Sequence, residues 1–134
     1  MPNIAKLTLN GVILNWEAKI KYLGVWICSE KRFQVDLSEV RRKFFTSVNS
    51  ILSKYKYTND LVKLELLESQ CLPIILYATE CINLNSSQIK EINSWWNSAY
   101  RKIFGYSKWE SVKSLICALR KLDVLHLINF RILA

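Results

Sequence analysis

The sequence predicts an α+β fold, in which an N-terminal antiparallel β-hairpin or three-strand ribbon is followed by a mainly α-helical bundle of four to five helices. Three observations lead there. An Asn10-Gly11 dipeptide separates two short apolar runs, the apolar period changes from two to helical at Asp36, and the helical period then continues to the C-terminus. With 134 residues, 51% of them hydrophobic and 22% charged, the chain has material for a core and is not expected to be disordered. The division expected is a ribbon over 1–35 and a helical part over 36–134.

Residues 4–27 read as strands. Asn10-Gly11 favours a two-residue type I′ turn, because both central positions need positive φ. That turn sets Leu9 opposite Val12, Leu7 opposite Leu14 and Ala5 opposite Trp16, placing all six on one face expected to be half-buried. The run 20–27 reads as a third strand, with Gly24 marking a bulge or a close backbone approach. From Asp36, Leu37, Val40, Phe44, Val48, Ile51, Leu52 and Tyr55 recur at helical spacing, and Asp36-x-x-Glu39 has the form of a capping box. The opposite face carries Arg42, Lys43, Ser47, Asn49 and Lys54. A second helix is expected from about Asp60 to Cys81, with Leu61, Leu64, Leu67, Cys71, Ile75, Ala78 and Ile82 inward. Pro73 should kink or break it, since proline lacks the N–H donor and crowds the preceding turn.

Asn85-Ser86-Ser87-Gln88 supplies caps for a third helix facing inward through Ile89, Ile92, Trp96, Ala99, Ile103 and Phe104, and Gly105 ends it. Two weaker helices are expected over 109–122 and 124–133, the latter capped by Asp123. The chain ends within an apolar pattern, as a truncated segment would. No run is long enough for a membrane span and no secretory leader is visible, so the expectation is an intracellular protein, in nucleus or cytoplasm, with no membrane partner.

Cys28, Cys71, Cys81 and Cys117 are widely spaced without a C-x-x-C pair, and read as reduced, buried, small hydrophobic side chains rather than metal ligands or disulfides. His126 lies in an apolar stretch with no nucleophile motif beside it, and no phosphate-loop, dinucleotide or H-E-x-x-H motif occurs. No catalytic or metal-binding residues are therefore assigned. The formal charge of +8 favours a polyanionic partner. It is distributed unevenly. Residues 36–58 carry five basic and two acidic side chains and 86–108 four and one, whereas 59–85 carry one and four. The ribbon and the first and third helices thus supply the basic character. Tryptophans 16, 26, 95, 96 and 109 interleave with it, as in proteins that neutralise phosphates and stack on bases, although Trp96 reads as core.

The segment Lys21-Tyr22-Leu23-Gly24-Val25-Trp26-Ile27 resembles the tyrosine-leucine-glycine-valine strand of reverse transcriptases from LINE-type (non-LTR) retrotransposons. Residues 6–16 are similar to the hairpin before that strand. Leu72-Pro73-Ile74-Ile75-Leu76-Tyr77-Ala78-Thr79-Glu80 is similar to a segment of the thumb. Asn93-Ser94-Trp95-Trp96-Asn97 with Arg101-Lys102-Ile103-Phe104-Gly105 is similar to the helix that follows. These motifs cover roughly residues 6–130 in the family's order.

The resemblance implies the end of a palm with a primer-grip-like turn at Tyr22, Leu23 and Gly24, then a helical thumb. Along it Arg41, Arg42, Lys43, Arg101 and Lys102 would contact the phosphates of an RNA–DNA template–primer duplex. The rest of the polymerase would be a further partner. Two departures qualify it. Ala78 stands where the family has glycine, and the paired aspartates of two-metal phosphoryl transfer have no counterpart, since no two of the eleven acidic residues are adjacent. No catalysis is expected from this chain alone, and no cofactor, because Mg2+ would belong to the missing palm. The alternative from a different class is a stand-alone helical protein-interaction module whose positive charge is incidental.

Overall fold

A computed structural model describes residues 5–22, 24–29, 33–81 and 84–133 and shows an α+β protein. The chain separates into two compact units, residues 1–36 and 37–134. The first holds two antiparallel sheets. Strands β1 (Thr8–Leu9) and β2 (Val12–Ile13) pair with Leu9 opposite Val12 and Thr8 opposite Ile13, and Leu14 N–H donates to the Leu7 carbonyl at 2.8 Å. Asn10 and Gly11 both take positive φ, 52° and 79°, as a type I′ turn demands. The face is not half-buried, however. Leu7, Leu9, Val12, Leu14 and Trp16 are all exposed, because a two-stranded ribbon has no second layer of its own to pack on.

The second sheet, β3 (Lys19–Tyr22), β4 (Val25–Ser29) and β5 (Phe33–Asp36), corrects the single-strand reading of 20–27. Tyr22 pairs with Val25, so the run doubles back between them, and Gly24 serves the reversal with φ +83° instead of forming a bulge. Leu23 lies outside the described residues. Asp36 ends β5 opposite Trp26, and its carboxylate accepts a hydrogen bond from Lys19 Nζ.

The second unit begins with α1 (Ser38–Lys54), whose N-cap, Leu37, makes no side-chain cap bond. Val40, Phe44, Val48 and Ile51 form its buried stripe. Ser47 leaves the solvent face expected of it and accepts from Cys71 Sγ at 3.2 Å. The break near Pro73 is present: α2 (Asp60–Gln70) ends at Cys71 and α3 (Leu72–Cys81) starts immediately, with Pro73 in its first turn where a missing N–H costs least. This division brings the helices among the described residues to six. Leu64, Leu67, Cys71 and Ile75 are buried, whereas Leu61, in the first turn of α2, is exposed. Ile82 and the side chains of Ala78 and Cys81 lie outside the described residues.

Helix α4 (Ser86–Phe104) has both halves of a capping box: Asn85 Oδ1 accepts from Gln88 N–H at 2.8 Å, and Gln88 Oε1 accepts from Asn85 N–H at 3.2 Å. Gly105 closes its far end at φ +71°. Helix α4 packs on α1, α2 and α6, and so buries a wider face than one stripe: Ile92, Trp95, Trp96, Ala99, Tyr100 and Ile103. The helix expected over 109–122 is shorter, α5 (Lys113–Ala118), and leaves Trp109 in a turn. Helix α6 (Val124–Leu133) follows Asp123, whose carbonyl accepts from Leu127 N–H at 3.1 Å. Its carboxylate does not complete the expected cap, since Oδ1 is buried without a hydrogen-bond partner among the described residues.

Candidate nucleic-acid interface

Two exposed cations of the helical unit, Arg41 and Lys102, meet where α1 and α4 are clamped together by aromatic rings. Phe44 lies 6.5 Å from Trp95 and 6.3 Å from Trp96, centroid to centroid. Its neighbour Phe45 is half-buried, edge-on to Phe44 at 5.2 Å. Two of the expected phosphate contacts converge on Phe45. The Arg41 guanidinium lies 5.8 Å from its centroid and Lys102 Nζ 5.1 Å. A cation–π contact at an exposed site is worth only about 0.5–1 kcal/mol. Two like charges drawn to one ring also repel, and a nearby anion relieves that repulsion.

The remaining cations differ in availability. Arg42 is exposed on α1. Lys43 is exposed but partly neutralised by Glu39, one turn back at 3.3 Å. Arg101 Nε donates to the Glu110 carbonyl at 2.9 Å, which leaves other guanidinium donors for a second partner. Arg101 and Lys102 stand in the last turn of α4, where they also complement the helix dipole. Arg41, Arg42 and Lys43 gain nothing comparable, being close to the N-terminal end of α1, where the dipole favours anions.

No protein-family model matches this chain, and no curated protein or solved structure matches it either. The site therefore rests on its own geometry.

The other expected positions sort as follows. Tyr22, at the end of β3, is 62% exposed and Gly24 occupies the turn after it, both in the first unit. Trp26 in β4 is half-buried with Lys19 Nζ and Lys21 Nζ at 5.0 and 5.7 Å from its ring. Trp95 and Trp96 are core residues and have no free face for a base, whereas Trp16 and Trp109 are exposed. The cysteines are less uniform than expected: Cys71 is buried, Cys28 half-buried and Cys117 exposed. Burial raises the Cys71 thiol pKa, and the Ser47 hydroxyl beside it works the other way. Cys117 and exposed His126 line a cleft of about 410 Å³ with Lys113, Lys121 and Asp123. Among the described residues no group of three or more His, Cys, Asp or Glu side chains is placed to hold a metal, and no helix is long and apolar enough to cross a membrane.

Sequence reasoning named Arg41 and Lys102 but missed Phe45, the residue that joins them. The only signal for it was an aromatic just off the apolar stripe of α1, next to Phe44.

Proposed function

We propose that this chain binds the sugar-phosphate backbone of an RNA–DNA template–primer duplex through the α1–α4 face, as a thumb-like fragment of a LINE-type retrotransposon reverse transcriptase. The observation that carries the binding is the convergence of Arg41 and Lys102, from two helices, on Phe45. Arg42, Lys43 and Arg101 add further positive charge on the same two helices. Contacts of this kind read charge and spacing rather than base edges, as a sequence-independent polymerase needs. The parent family comes from the motif resemblance over residues 6–130. In this reading Tyr22, Leu23 and Gly24 form the primer-grip-like turn, and catalysis and its metal ions reside in a palm outside this chain.

The test is equilibrium binding of the full chain to a blunt RNA–DNA hybrid across a salt series, compared with the double variant Arg41→Gln, Lys102→Gln. Removing two phosphate contacts should weaken binding at every sequence and lower the slope of log affinity against log salt by about 2. An unchanged slope would assign the binding face elsewhere. A second reading is favoured by one specific observation, the open apolar face of the β1–β2 ribbon. There the chain is a protein-interaction module, and concentration-dependent self-association or partner capture without duplex affinity would support it.

A further inference from the structure

We infer that Trp109 is a stacking platform for an unpaired base, so that the ligand of this face is a junction between duplex and single strand rather than uninterrupted duplex. The inference rests on the proposed duplex binding and adds to it the class of nucleic acid recognised. Trp109 is 88% exposed. Leaving a large apolar side chain in water forgoes about 1.5–3 kcal/mol of burial, so its exposure calls for a reason beyond folding.

The backbone around it is built to hold the indole out. Tyr106 N–H donates to the Arg101 carbonyl at 2.9 Å, closing the end of α4 past Gly105. Glu110 N–H then donates to the Ser107 carbonyl at 3.2 Å, making a four-residue turn with Lys108 and Trp109 at its two central positions. The carbonyl of Glu110 accepts from Arg101 Nε at 2.9 Å, which fastens the turn to the last turn of α4 beside Lys102. An anchored tip presents its ring with little ordering left to pay on binding. Lys108 Nζ lies 5.4 Å from the indole centroid. Arg101, Lys102, Lys108 and Lys113 outnumber Glu110, the acidic side chain on the turn itself.

Tyr57 provides an internal comparison. It is 94% exposed with Lys56 Nζ 5.6 Å from its ring. Yet it follows the C-terminal end of α1, roughly 20 Å along the helix from Arg41 at 1.5 Å per residue. The one cation from another element that reaches this tip among the described contacts is Lys63 of α2, which is buried and donates to the Lys56 carbonyl at 3.4 Å. Of the two tips, Trp109 is the one on a turn fastened to Arg101, the sequence neighbour of Lys102 in α4.

A base inside a duplex has both faces covered by its neighbours. An unpaired base, at a template overhang or a frayed end, offers a face to an indole away from the duplex stack, and every base has one, so stacking is indifferent to sequence.

The test compares affinities of the full chain for a blunt RNA–DNA hybrid and for the same hybrid with a short unpaired template extension. Trp109→Ala should lower affinity for the extended hybrid about 5- to 150-fold, the equivalent of losing one stacked base, and leave the blunt hybrid within about twofold. Trp109→Phe should recover most of the loss. An equal change on both ligands, or none on either, would overturn the inference while the salt-slope result for Arg41 and Lys102 still judges duplex binding. If the wild-type chain binds neither ligand, both readings fall.

Discussion

The rings of Phe44 and Trp95, from α1 and α4, stack with their centroids 6.5 Å apart and their planes 29° from parallel. Phe44 is fully buried and touches Phe45 and Trp96 as well, so one side chain joins the two helices and supports the ring that Arg41 and Lys102 share. Phe44→Ala should cost about 3–5 kcal/mol, the range for emptying a buried aromatic site. Chemical denaturation followed by tryptophan fluorescence measures it. A loss under 1 kcal/mol would mean that the α1–α4 seam closes without this ring.

Tyr100 yields a prediction with a definite sign. Its hydroxyl is buried without a hydrogen-bond partner among the described residues. Burial first, then the Glu68 and Asp123 carboxylates, push its pKa well above the ordinary tyrosine range. Lys121 faces the same region but is held by Glu68 at 3.0 Å. A folded pKa above the unfolded value of about 10 means that the stabilisation is complete below pH 10 and is lost as pH rises beyond it, by up to about 1.4 kcal/mol per pH unit. Tyr100→Phe should therefore match or exceed the wild type at pH 7 and open a growing stability advantage between pH 10 and 12. Parallel stability curves would show that Tyr100 ionises normally.

The β1–β2 ribbon should be the least protected part of the chain. Its strands have two residues each and all its large apolar side chains are exposed. In native-state hydrogen exchange, the amides of residues 8–13 should exchange orders of magnitude faster than those at the centres of α1 and α4. Protection equal to α4 would require a covering layer for the ribbon.

What could be read from the sequence was what is local. Asn85 and Gln88 cap α4 through groups three residues apart, Gly105 ends it through its own φ, Asn10-Gly11 makes its turn unaided, and Pro73 breaks the helix it interrupts. The misreadings all involve distant partners. The pairing of Asp36 with Trp26 and its bond to Lys19 lie outside what its local spacing can show. The run 20–27 is apolar except for Lys21, so little in its pattern reveals the reversal at Gly24. Trp95 and Trp96 are both buried because α4 has neighbours on several sides, which the period of one helix cannot express. The candidate site was legible as charges on two helices. Their meeting at Phe45 depends on the crossing of α1 and α4, and the poise of Trp109 on a hydrogen bond from Arg101.

The pairing of Phe44 with Trp95 and Trp96 also bears on how the chain emerges from the ribosome. Helix α1 is made first and meets α2 and α3 as they appear, yet the two tryptophans arrive only after those helices have been translated, several seconds later at about 5–20 residues per second. Throughout that interval Val40, Phe44, Val48 and Ile51 have no α4 to meet. Slowing translation between Asn59 and Asn85 would lengthen the time for which the Phe44 ring lacks the two tryptophans.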